Sequence, residues 1–337
     1  MKISAVVKYS FSLVLAGVLF YFAFRNVSID EFLDKISEVN YWWVILSIVL
    51  SLMSHWLRAY RWNLMLKPLG YEKLSDGRTF LAVMTGYLAN LAFPRLGEVT
   101  RCGVMKRSEK IPMSISFGTV ITERTIDFLI LLSLILLDFI IEFDRVYEFF
   151  ITAVGWDTQV DHTMNIILIA STLIFLGVIG ILILKKILEH EFENSLLQKI
   201  HRVLTDIVNG LLSIRKVQNI GGFVVSTIGI WVFYYLMSYV IFFSISETSV
   251  LGFGAGLSIL AAAGVAMAMP VQGGIGAYHT LVSGVLIIYG IEATTGLFFA
   301  TLLHTSQLIC ILLFGGLSVL GTVFVNRKRK TEMAFES

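Results

Sequence analysis

Glu123, Arg124 and Asp127 fall close together in an otherwise apolar stretch. Glu123 and Asp127 are four residues apart, so a helix presents them on one face. If that helix begins near Ile115, a rise of about 1.5 Å per residue puts Glu123 roughly 12 Å along it, inside hydrocarbon for a membrane span. Ionisable groups at that depth cost on the order of 3 kcal/mol each, so they must face protein or water and have partners. Ser116, Thr119, Thr122 and Thr125 share the stretch and favour such a surface. The chemistry open to the carboxylates is an ion-pair clasp between helices or service to a substrate, as counter-charges, ion-coupling groups, acid-base groups or metal ligands.

A second constellation surrounds Pro94: Asn90, Arg95, Glu98 and Arg101. Arg101 follows Glu98 by three residues, so the two can pair on a helix. Arg95 has no evident partner in the sequence. Beside the N–H groups of a helix starting near Gly97 it suits a phosphate or carboxylate; the alternative is snorkelling to the membrane surface. A third group follows Pro270. Gly273, Gly274 and Gly276 permit close backbone approach, and a helix starting near Ala277 aims its positive end the same way. Tyr278 and His279 come next, as a packed hydrogen-bonded pair or a proton relay. His55, Arg58 and Arg61 share a helix face and are read as snorkelling; His304 and Asp138 are read as lone polar residues satisfied locally. Cys102 and Cys310 are far apart in apolar contexts, which suits small core residues and neither a disulfide nor a metal site. No Walker sequence, zinc pair or nucleophile elbow is present, and Gly274-Ile275-Gly276 follows no strand, so nucleotide binding and familiar hydrolase chemistry lack support. No cofactor or metal is expected.

The elements that must carry these groups are membrane helices. The chain has 337 residues, 56% hydrophobic and 15% charged, far from the balance of a soluble domain. Its net charge of +2 argues for neither nucleic acid nor any strongly charged partner. Full spans are expected at Val6 to Phe24, Trp42 to Leu64, Ile115 to Ile141, Met164 to Leu184, Ile220 to Ile245 and Thr295 to Val325. The first is read as a span and not a cleaved signal peptide, because Arg25 follows its apolar core with no small-x-small site. Two shorter apolar stretches, Thr79 to Phe93 and Gly252 to Met269, stop at Pro94 and Pro270. Both end in a small-apolar-Pro string, Ala92-Phe93-Pro94 and Ala268-Met269-Pro270, and both place a Gly three residues after the Pro. Paired interrupted segments point to a transporter's binding site, because broken backbone survives in a membrane only inside protein or along a wet cavity.

Basic residues cluster after the second span, after the first break and at Arg327 to Lys330, while Asp30, Glu31, Asp34, Glu38, Glu142 and Asp144 lie in the opposite loops. Both termini are therefore expected in the cytoplasm of a multi-pass inner (plasma) membrane protein. The two breaks would then be reached from opposite leaflets. The expected fold is all-α: a polytopic membrane helix bundle with two broken, re-entrant helical hairpins in an inverted repeat. It forms a single integral membrane domain over 1–337, with a first half at 1–188, a cytoplasmic amphipathic connector at 189–217 and a second half at 218–326.

Arg58-Ala-Tyr-Arg61-Trp62, Asn90-Leu-Ala-Phe-Pro94-Arg95-Leu-Gly97-Glu98-Val-Thr-Arg101, Glu123-Arg124-Thr-Ile-Asp127 and Pro270-Val-Gln-Gly273-Gly274-Ile-Gly276 together resemble the lysylphosphatidylglycerol synthase transmembrane region, also called the flippase-like family. The resemblance spans nearly the whole chain. It implies a membrane protein that moves or handles lipid head groups. Members that add lysine to phosphatidylglycerol carry a soluble aminoacyl-transfer domain after the membrane part; here the chain ends at Ser337, so that activity is not expected. The family's glycine turn is often followed by an acidic residue, where this chain has Ala277, Tyr278 and His279. The reading that follows is a transporter of an anionic lipid or lipid-linked head group. Arg95, Arg101 and Arg124 would hold the head group, with Asn90, Gly97, Gly273, Gly274 and Gly276 at the tips and Glu98, Glu123 and Asp127 as charge-balancing or ion-coupling groups. Membrane lipids are the expected partners, with a separate lipid-modifying enzyme as a further one. An intramembrane enzyme acting on lipid head groups and a small-solute exporter are the alternatives.

Overall fold

The computed structural model describes residues 29–145 and 217–336 and parts of 14–25. The span expected at 164–184, and the connector at 189–217 apart from its last residue, lie outside the described residues. So does much of the span at 6–24. Every regular element described is helical, without a strand among them.

A short helix α1 (Ile29–Glu38) precedes α2 (Tyr41–Leu66), which starts where the Asn40 side chain accepts from Trp42 N–H at 3.2 Å. Two short helices follow, α3 (Asp76–Ala92) and α4 (Leu96–Ser108), then α5 (Met113–Ile141). Later in the chain come α6 (Ile220–Tyr239), capped by Asn219 on Gly222 N–H, then α7 (Phe253–Ala268), α8 (Ala277–Ile288) and α9 (Ala293–Glu336). Among the described residues three stretches, Tyr41–Leu69, Ile220–Ser244 and Ala293–Val325, are long and apolar enough to cross a membrane. Helix α5 has the length, at 29 residues or about 43 Å, but carries Glu123, Arg124, Asp127 and Asp138.

The repeated string sets both breaks. Helix α3 stops at Ala92 and α7 at Ala268, the same residue of the motif, because the residue before a proline is pushed out of helical geometry. Phe93 (φ −143°, ψ 130°) and Met269 (φ −63°, ψ 147°) are both non-helical. At 17, 13, 16 and 12 residues, α3, α4, α7 and α8 are each shorter than the about 20 residues of a span. They pack as two hairpins, α3 on α4 and α7 on α8. Each hairpin belongs to its own apolar core. One core gathers Trp62, Leu66, Ala82, Val83, Cys102, Met105 and Val120; the other gathers Ile259, Ala266, Ala277, Tyr278, Val282, Phe299 and Leu303. Helix α9 touches both hairpins, packing against α3 and α8.

At the end of the bundle where α1 lies, Lys35 Nζ meets Glu247 Oε1 at 2.5 Å across a loop outside the spans. The Lys35 hydrogen bond, aided by Ser246, draws the Glu247 carboxyl down to about 2 from an ordinary 4.5. A lowered carboxyl stabilises the fold above its ordinary value and loses that contribution as pH falls toward its folded value. Thermal unfolding of the purified protein should therefore lose stability as pH falls from about 4.5 to about 2, and Glu247→Gln should flatten that part of the profile.

Candidate functional site

Buried arginines and carboxylates from three helices, joined by a tyrosine from a fourth, meet at the flank of the first core. Arg58 of α2 reaches Glu123 Oε1 of α5 at 2.5 Å and Asp127 Oδ2 at 2.7 Å, and its other terminal nitrogen donates to Tyr234 of α6 at 2.9 Å. Arg61 donates to Asp127 Oδ1 at 2.8 Å. Arg101 of α4 lies over the Trp62 ring at 4.7 Å and reaches Glu123 Oε2 at 3.2 Å. Glu123 and Arg61 have fully buried side chains, and those of Arg58 and Arg101 are nearly so. The geometry corrects two expectations. Arg58 and Arg61 do not snorkel; they turn inward because two carboxylates on α5 stand opposite them, and a charge at depth takes a buried partner when one is in reach. Glu98 and Arg101 do not pair with each other, because Glu123 and Arg124 across the interface offer each a partner of opposite sign. Glu98 holds Arg124 Nε at 3.3 Å, at the open edge of the cluster, where the Arg124 side chain is 43% exposed.

The rim of this cluster is a narrow cleft lined by Val83, Gly86, Tyr87, Asn90, Gly97, Glu98, Arg101 and Arg124, with a cavity volume of about 10 Å³. Arg101 Nε and Nη2 and Glu98 Oε2 are buried here without a hydrogen-bond partner among the described residues. Counting charges, Arg58, Arg61, Arg101 and Arg124 face Glu98, Glu123 and Asp127, four positive against three negative, which leaves one positive charge over. At the break itself Gly97 N–H donates to Asn90 Oδ1 at 2.6 Å. Gly97 is small because α3 and α4 approach closely there: a Cβ would collide with the Gly86 carbonyl oxygen. Arg95 is exposed, makes no hydrogen bond or ion pair with a described residue, and is left-handed at φ 63°, a region that strains residues other than glycine.

The second break is built differently. Gly273, Gly274 and Gly276 have φ of 58°, 74° and 83°, so these glycines are required by the turn. His304 of α9 is not a lone polar residue satisfied near in sequence: its Nε2 donates to Gly273 O at 2.9 Å, across 31 positions. Asp138 likewise reaches another helix, accepting from Ser258 at 2.7 Å. Tyr278 stacks on His304 and accepts from Gln307, while His279 Nδ1 accepts from Gly276 N–H at 3.3 Å. Cys102 and Cys310 are separate, buried free thiols.

The two breaks meet. Gln272 Nε2 donates to Leu91 O at 3.0 Å and Ala92 O at 2.8 Å, the carbonyls that α3 leaves unbonded where it stops. Sequence reasoning missed Gln272, whose only sign was its place between the Pro and the glycines. Gln272→Leu keeps the bulk but removes the donor, and should lower stability by about 1–3 kcal/mol in a thermal melt, the cost of leaving the part-buried Leu91 carbonyl unpaired.

Membrane-length apolar helices, two pairs of short helices touching at their breaks and a buried ion cluster define an integral membrane helix bundle. The chain belongs to the lysylphosphatidylglycerol synthase TM region family, whose profile matches residues 9–315. It is also similar to the UPF0104 membrane protein MJ1595 of Methanocaldococcus jannaschii, with 29% identity over 119 residues, 34% of this chain and 35% of that protein. The chain thus matches about a third of that relative's length. No solved structure matches the chain.

Proposed function

We propose that this protein is a flippase-like transporter that carries an anionic lipid or lipid-linked head group across the inner membrane, and that the cleft between α3, α4 and α5 receives the head group. The observation that carries the reading is Arg101, almost fully buried yet left with two guanidinium nitrogens, Nε and Nη2, unbonded among the described residues beside a cluster holding one surplus positive charge. An unsatisfied buried guanidinium is costly, and an anionic oxygen satisfies it. The cleft has a cavity volume of about 10 Å³, room for a single water-sized group, against about 300–1,000 Å³ for a typical small-molecule site, so it takes one anionic oxygen while the rest of the lipid stays outside it in the bilayer.

In this reading Arg95 meets the anion first at the break, Arg124 guides it at the rim and Arg101 holds it. Asn90 and Gly97 shape the floor, Glu98, Glu123 and Asp127 balance the charge, and Gly273, Gly274 and Gly276 let the second break close over it, with Tyr278 and His279 behind. Both termini lie in the cytoplasm and the breaks open to opposite leaflets, as in an inverted repeat. A separate lipid-modifying enzyme supplies the cargo. Labelling of Arg95→Cys and Ile275→Cys from opposite sides of the membrane tests the topology; access to both from one side would sink it.

The test of transport is purified protein in liposomes containing fluorescent anionic or zwitterionic phospholipids, with the outward-facing label bleached chemically. Arg95→Ala should abolish translocation of the anionic lipid and leave stability within about 0.5 kcal/mol, since the side chain has no structural partner. Unfolding of the variant would make Arg95 structural, and a normal rate would put the head-group site elsewhere.

A further inference from the structure

The cleft beside Arg101 has one side that can yield. Its floor is locked main chain: Gly97 N–H is held by Asn90 at 2.6 Å, and α3 and α4 lie so close that a Cβ at Gly86 would stand 2.8 Å from Gly97 O. Its inner wall is Arg101, fixed between the Trp62 ring at 4.7 Å and Glu123 at 3.2 Å. The outer edge is the Glu98–Arg124 ion pair, whose side chains are 20% and 43% exposed. Side chains at that edge turn without moving a helix, whereas widening the floor would pull α3 from α4.

Glu98 stands where an incoming anion would. One of its oxygens, Oε1, holds Arg124 Nε at 3.3 Å. The other, Oε2, is buried without a hydrogen-bond partner among the described residues and belongs to the same cleft as the unbonded Nε and Nη2 of Arg101. A carboxylate oxygen left unpaired in this way is costly, so the closed arrangement is weakly held. Turned out, the carboxylate is not stranded. Glu98 lies in the first turn of α4, where a helix start favours negative charge, and its side chain already reaches the open edge. With a cavity of about 10 Å³, the cleft as it stands has room for one oxygen and no more. An anion shared by Arg101 and Arg124 must therefore take Arg124 from Glu98.

We infer that Glu98 is the gate of the head-group site, a resident carboxylate that the substrate anion displaces from Arg124 and that returns when the anion leaves. Arg124 trades one charge-assisted contact for another, so the exchange itself is nearly balanced. The gain comes from Arg101, whose free nitrogens then bond the anion. The chemistry recognised is an anionic phosphate oxygen, of a lipid head group or of free phosphate. The inference rests on the proposed head-group site and adds the element that opens and closes it.

The experiment titrates full-length protein in nanodiscs of zwitterionic lipid with dihexanoyl phosphatidylglycerol, a soluble short-chain lipid, and separately with inorganic phosphate. Glu98→Gln keeps the shape and a neutral acceptor for Arg124 but gives up the charge, and should bind the lipid at least about tenfold more tightly than wild type. Glu98→Asp, which keeps the charge, should stay within about threefold of wild type. In an Arg124→Gln background, adding Glu98→Gln should change affinity by less than about threefold, because the carboxylate then withholds nothing. Equal tightening with and without Arg124 would be a general charge effect and would overturn the gate. So would unchanged affinity in Glu98→Gln when wild type binds the lipid, and the head-group site would then stand. Tightening toward inorganic phosphate alone keeps the gate and sinks the head-group reading. Binding of neither probe by wild type or Glu98→Gln sinks both. Glu98→Ala repeats the titration if Glu98→Gln fails to fold, and failure of both to fold would make Glu98 structural and overturn the gate.

Discussion

Replacing Arg58 with alanine should cost the folded protein about 3–5 kcal/mol, the range for removing one partner of a buried ion pair. Arg58 is the only group bonded to Glu123, Asp127 and Tyr234 together among the described residues. Without it Glu123 keeps Arg101 at 3.2 Å and Asp127 keeps Arg61 at 2.8 Å, but the fully buried Glu123 loses its closest cation and Tyr234 its donor. Adding Glu123→Gln to Arg58→Ala should recover part of the loss, because the fully buried carboxylate that lost its closest cation is then neutral. Lysine at 58 should fall between, since an ammonium cannot serve three acceptors in the plane of a guanidinium fork. Thermal unfolding in nanodiscs reads all four proteins, and a melting point unchanged in Arg58→Ala would mean that the cluster is not what clasps α2 to α5.

The second large effect is expected at Arg101, and it separates binding from folding. Arg101→Gln should weaken head-group binding by about 2 kcal/mol, or roughly thirtyfold, through loss of charge-assisted contacts from Nε and Nη2. The fold should suffer less than in Arg58→Ala, because Glu123 retains Arg58 at 2.5 Å. What the fold loses is one ion pair and the stacking over Trp62. Equilibrium binding of a soluble short-chain anionic lipid, measured beside the melt, distinguishes the two. Wild-type affinity in a stable Arg101→Gln protein would remove the cleft from the transport cycle.

How much of this was legible in the sequence differs from group to group, for physical reasons. The breaks were legible because proline and glycine act locally: Pro94 and Pro270 stop their helices whatever surrounds them. Glu123 and Asp127 were legible because a charge in an apolar helix has few affordable settings. Arg58 and Arg61 were not, because an arginine near a helix end has two homes, the membrane surface and a buried partner, and only the position of α5 decides between them. Glu98 and Arg101 misled for a related reason. Their i,i+3 spacing offers a weak local pair, worth a few tenths of a kcal/mol, which a cross-helix partner in a buried site outweighs. His304 and Gln272 were illegible because their partners are backbone atoms 31 and more than 170 positions away, and no side-chain pattern marks a carbonyl as waiting.

The contact between Gln272 and α3 has a consequence for how the chain tolerates change. On one side of that contact the recognising group is a side chain; on the other it is main chain, the Leu91 and Ala92 carbonyls. Any residue at 91 or 92 that keeps the backbone in place still presents the same two oxygens. Position 272 has no such freedom, because only a side chain long enough and with N–H donors at its end can reach both. A saturation scan scored on folding would therefore show one restricted column facing two permissive ones, and the joint between the two hairpins would be invisible to any search for paired substitutions.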